Sequence, residues 1–102
     1  MKLVIYAGGE YLTSDDIAAA LLEYSRALGS SGNAETVAIP IREPDGTDGT
    51  AQFLVGPASQ IVVKTVEVEG DELVDEETVS RLRERSRRLK RTSAGEASEF
   101  WI

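Results

Sequence analysis

The chain contains no cysteine and no histidine. Without thiols there can be no disulfide, no thiolate nucleophile, no cysteine zinc site and no iron–sulfur ligation. Without imidazole, Ser-His triads, bases poised near neutral pH and nearly all transition-metal sites are lost as well. Long hydrophobic runs are missing too. The first, Leu3 to Ala7, stops at Gly8 and Gly9, too short for a secretory leader or a membrane span. Positive charge is scarce: 11 Lys and Arg face 18 Asp and Glu, leaving a net charge of −7 and a field that repels nucleic acid and anionic membrane. These absences lead us to expect a cytoplasmic protein that avoids membranes and carries no metal or other cofactor. Only carboxylate, lysine, tyrosine and hydroxyl chemistry remains, and no set of these has a spacing that marks a catalytic centre.

What is present suits one domain. With 102 residues, 41% of them hydrophobic, the chain can build one core without covalent staples. We place the domain at residues 1–91 and read 92–102 as a C-terminal tail with an apolar tip. Residues 2–7 form a short apolar run closed by a glycine pair, the pattern of a central strand buried on both faces. A helix follows from Thr13, read as its N-cap, with Asp15 and Asp16 in the first turn. Ile17, Leu21, Tyr24 and Leu28 form its apolar stripe and Gly29 its C-cap. Val37, Ile39 and Ile41 alternate along a half-buried strand, and Pro40, which has no N–H, places that strand at an edge or a bulge. Two Asp-Gly steps at 45–49 predict a hairpin into residues 51–55. The phase of the apolar residues shifts between Ile61 and Val68, which predicts a bulge or a bend in a further, longer strand. Asp75 then caps a second helix with a thin stripe of Val79, Leu82 and Leu89. The expected fold is α+β in two layers, a mixed four-stranded sheet with two helices in the order β-α-β-β-β-α. A right-handed crossover would make the first two strands parallel.

Three features invite a function. Gly8, Gly9 and Tyr11 follow the first strand and would line a cleft for a small ligand, where open sheets with crossovers bind; in that reading Tyr6 or a carboxylate would serve as acid or base. The turn lacks the third glycine of a dinucleotide fingerprint and the Gly-Lys-Ser/Thr of a phosphate loop, so chain reversal explains the glycines as well. The second feature is a charge asymmetry. Residues 67–77 carry seven acids, whereas 81–91 carry seven bases and one acid, a net +6 set against −13 for the rest of the chain. On a helical wheel Arg81, Arg85 and Arg88 share one side, with Arg83, Arg87, Lys90 and Arg91 spread around the remainder, so the positive surface is broad and unfocused. They suit an acidic protein partner, while the lack of interleaved aromatics and the acidic remainder count against nucleic acid. Complementing the helix dipole and forming i, i+4 pairs is the structural explanation of the same residues. The third feature is the tip Phe100, Trp101 and Ile102, which would dock on the domain itself, on a second copy or on a partner. The expectation drawn from these is a small non-enzymatic interaction module of undefined pathway, with self-association as one mode. The alternatives are a small-molecule site after the first strand and a nucleic-acid surface on the second helix.

Overall fold

The computed structural model describes the backbone of residues 1–101 and the side chains of residues 1–90. The tip residues Phe100, Trp101 and Ile102 therefore lie outside the described side chains. The chain forms β1 (Lys2–Tyr6), β2 (Gly9–Thr13), α1 (Asp15–Ser31), β3 (Glu35–Arg42), β4 (Asp48–Val55), β5 (Val62–Thr65) and α2 (Glu76–Trp101). The class is α+β, but the sheet has five strands in the order β4-β3-β2-β1-β5, and every described pairing is antiparallel.

The extra strand corrects the expected order. Residues 9–13 pair back on β1, from Tyr6↔Gly9 to Lys2↔Thr13, so the glycines serve a hairpin, and among the described residues there is no parallel crossover. The two-residue turn has φ of 50° at Ala7 and 82° at Gly8, the left-handed pair whose twist matches flanking antiparallel strands. Glycine adopts such angles freely, whereas alanine does so at a steric cost. Ala7→Asn is accordingly expected to stabilise the protein by about 0.5–1 kcal/mol, read as a higher urea midpoint; a lower midpoint would show that Ala7 does not hold this conformation.

β2 meets β3 through the single pair Leu12↔Arg42, which divides the sheet into a β1-β2-β5 leaf and a β3-β4 hairpin. Pro40 explains the thin joint. Its carbonyl accepts the Thr13 hydroxyl at 2.8 Å, so its backbone polar edge faces β2, where a ladder donor is missing. The β3–β4 ladder stays intact from Glu35↔Val55 to Arg42↔Asp48. Aromatic side chains close the joint from inside. Phe53 packs edge-on to Tyr11 with centroids 5.0 Å apart and tilted to Tyr6 at 5.7 Å. The Tyr6 phenol donates to the Leu54 carbonyl and shares a 2.8 Å hydrogen bond with Ser59.

Both caps of α1 lie beyond their expected positions. Ser14, not Thr13, accepts the Ile17 N–H at 3.3 Å, while Thr13 is held by Pro40. The helix runs through Gly29 to end at Gly32, which takes the left-handed angle and donates to Gly29. The apolar stripe is as read: Ile17, Leu21, Tyr24 and Leu28 are buried against Val4, Val37, Ile39, Phe53 and Val55. β1 is internal, yet only Val4 of its five residues is fully buried and the other four are half-buried, so the strand is not buried on both faces as its apolar run predicts. β5 covers only Val62–Thr65, so the phase shift near residue 66 falls where the chain leaves the sheet and not within a longer strand.

Candidate functional site: the basic flank of the second helix

Asp75 begins α2 as the sequence indicates. Its carboxylate accepts the Thr78 N–H at 3.0 Å and the Thr78 hydroxyl at 2.7 Å. These hydrogen bonds, the backbone one foremost, favour the charged form and hold the Asp75 carboxyl below the usual carboxylate range. A depressed folded value means stability that is full above the ordinary carboxylate value and lost as pH falls through the lower one. Asp75→Ala is expected to cost about 0.5–2 kcal/mol at neutral pH, with the gap from wild type narrowing below about pH 4. Urea midpoints at both pH values test this; a gap that stays constant would contradict the titrating cap.

The helix then shows two chemistries. Leu82 and Ser86 are fully buried and Thr78 nearly so, with Val79 and Leu89 packed at the margin of the core. Ser86 satisfies its hydroxyl on the Leu82 carbonyl at 2.8 Å, so the buried stripe leaves no polar atom unpaired. Arg81, Arg83, Arg85, Arg87, Arg88 and Lys90 are all exposed. Some of this charge is tied locally. Glu84 meets Arg87 at 2.9 Å and Arg88 at 3.5 Å, and the Arg87 hydrogen bond is foremost in lowering the Glu84 carboxyl below its ordinary range. Glu84 is the one acid among the seven bases of residues 81–91, so this stretch keeps a net positive charge.

α1 and α2 run side by side in the same direction. The Asp15 N–H meets Glu72, just ahead of α2, and farther along Lys90 reaches Glu23 at 3.1 Å. This arrangement carries Arg85 and Arg88 to the C-terminal half of α1. There they rim a groove of about 320 Å³ whose other walls include Tyr24, Leu28 and Leu89, with Asn33 and Glu35 at the start of β3. Arg81 lies one turn back on the same flank. Two guanidinium groups beside the half-buried Leu89 can take a carboxylate together with the carbon chain that carries it. Arginine spacing on α2 is visible in the sequence; the contributions of Tyr24, Leu28 and Glu35 depend on how the helices pack and are not.

The structure does not bring the other candidates into this site. Gly8 sits in the β1–β2 turn, Gly9 pairs with Tyr6, and Tyr11 is committed to Phe53. No helix N-terminus follows the glycine pair, because β2 intervenes, and the glycines serve the chain reversal. Tyr11 does border an open groove of about 700 Å³ over the joint between the leaves, with Leu3, Leu12, Arg42 and Val68. Arg42 in that groove is already engaged by Asp48 at 3.2 Å and by the Asp71 carbonyl at 3.0 Å. Tyr6, the conceivable acid or base, is spent on Leu54 and Ser59. Asp45 accepts both the hydroxyl and the N–H of Thr47, and the hydroxyl bond chiefly lowers its carboxyl below the ordinary range; it belongs to the hairpin turn. Among the described residues no helix is long and apolar enough to cross a membrane. No family model, curated protein or solved structure matches the chain.

Proposed function

We propose that the protein is a non-catalytic interaction module that docks an acidic protein segment on the Arg81–Arg85–Arg88 flank of α2. The observation that carries this reading is the division of labour on α2: one stripe is satisfied in the core, and the rest is a run of exposed arginines, two of which border a groove of mixed polar and apolar lining. Helix stability alone needs far less. An i, i+4 pair contributes only about 0.2–0.5 kcal/mol, and two acids in the first turn already complement the dipole. The acidic remainder supports a narrow contact with a peptide over a long contact with a phosphate backbone, which it would repel within a Debye length of about 8–10 Å. The apolar tip Phe100, Trp101 and Ile102 supplies a second contact in this reading.

The test is fluorescence anisotropy with a labelled glutamate-rich peptide at low salt, beside duplex DNA of similar charge. Saturable peptide binding that weakens as salt rises, and that exceeds binding to DNA, is the expected result. No peptide binding at low salt, or a preference for DNA, would overturn the proposal.

A further inference from the structure

The sheet face turned away from the helices carries a second surface, independent of the basic flank. In the β1-β2-β5 leaf, Val4 pairs across to Tyr11 and Val63 on the inner face, where Val4 lies in the core and Tyr11 and Val63 pack against it. Strand alternation then assigns Leu3, Ile5, Glu10, Leu12, Val62 and Lys64 to the outer face. Their register is fixed: Leu3 lies between Leu12 and Lys64, and Ile5 between Glu10 and Val62. The result is an apolar centre on β1 with an acid on the β2 flank and a base on the β5 flank. Val62 is 52% exposed, Glu10 and Lys64 are exposed, and Leu3, Ile5 and Leu12 are half-buried. Val68, 43% exposed, borders the same groove as Leu3 and Leu12.

We propose that this face is covered by a second copy of the chain, related by a two-fold axis running along β1. Charge selects the occupant. A chain of net charge −7 repels itself across most of its surface, but the outward positions of these three strands hold one acid, Glu10, and one base, Lys64. An axis along the middle strand exchanges the two flanks, as any isologous contact must. Glu10 then lies over the β5 flank of the second copy, beside that copy's Lys64, and Lys64 lies beside the second copy's Glu10, on either side of a seam of Leu3 and Ile5, with Val62 opposite the second copy's Glu10. The two charges stand one pleat repeat apart along the strands, about 7 Å, an offset that long side chains span. A patch this small supports a weak dimer, with a Kd of the order of 10 μM. Docking of an acidic partner on α2 neither requires nor prevents it.

Sedimentation velocity on the full chain, from about 1 to about 500 μM so as to bracket such a Kd, tests the proposal. The wild type is expected to pass from monomer to dimer across this range. Val62→Glu, at an exposed position, should weaken the dimer at least ~tenfold. Glu10→Lys and Lys64→Glu should each weaken it similarly, because each sets like charges against one another, and the double exchange E10K/K64E should restore it. Thermal unfolding at low concentration serves as the folding control. A wild type that stays monomeric, a dimer indifferent to Val62→Glu, or single exchanges that the double exchange fails to rescue would overturn the proposal.

Discussion

Replacing Arg81, Arg85 and Arg88 together with glutamate is expected to lower affinity for an acidic peptide by about a hundredfold at low salt, with the loss shrinking as salt is added. An exposed ion pair contributes about 0.2–1 kcal/mol, and reversal exchanges that attraction for a comparable repulsion. Three reversals therefore remove roughly 1–6 kcal/mol, against 1.4 kcal/mol for each tenfold change. The fold should tolerate the change, since the three side chains project from the exposed part of a helix and glutamate is a good helix former. New like-charge neighbours, such as Glu84 beside the replaced Arg88, cost a few tenths of a kcal/mol each. Anisotropy with the same peptide reads the affinity and circular dichroism reads the helix. A variant that keeps both its helix and its affinity would show that the basic flank does not bind.

Leu82→Ala is expected to cost about 2–5 kcal/mol of unfolding free energy, the range for a leucine truncated in a packed core. The neighbouring Arg83→Ala should stay within about 0.5 kcal/mol of wild type. The contrast is steep because Leu82 is 1% exposed and its stripe neighbours Thr78 and Ser86 direct their hydroxyls to local acceptors, leaving Val79 and Leu89 as marginal apolar support. A typical domain has 5–15 kcal/mol in total, so this one side chain holds a large share of what seats α2 on α1 and positions Arg85 and Arg88. Urea unfolding of both variants provides the comparison. A cost below about 1 kcal/mol for Leu82→Ala, less than half the lower bound for such a truncation, would mean that α2 is not docked through this stripe.

The parts of the fold legible in the sequence are those with local causes. Ile17, Leu21, Tyr24 and Leu28 announce α1 by their spacing, Asp75 announces the start of α2, and the alternation of Val37, Ile39 and Ile41 announces β3. The β1–β2 hairpin was hidden because its turn uses Ala7 where Asn or Gly would normally signal one. Its second strand, Gly9–Thr13, also runs almost directly into the N-cap, so Thr13 resembled the cap that Ser14 provides. Pro40 suggests an edge or a bulge, yet β3 lies inside the sheet with an unbroken register to β4, and the missing donor falls on its one-pair joint to β2. In the candidate site the arginine spacing was readable because i, i+4, i+7 is a property of one helix. The groove beside it was not, since Tyr24, Leu28 and Glu35 reach Arg85 and Arg88 only through the parallel seating of two helices far apart in the chain.

Backbone amide NMR, titrated with the glutamate-rich peptide, tests the binding surface most directly. Shifts concentrated on residues 81–90 of α2 and on the Tyr24–Glu35 side of the groove, with the β1–β2 turn unmoved, are the expected result. Shifts centred on Gly8, Gly9 and Tyr11, or a spectrum unchanged at saturating peptide, would contradict it.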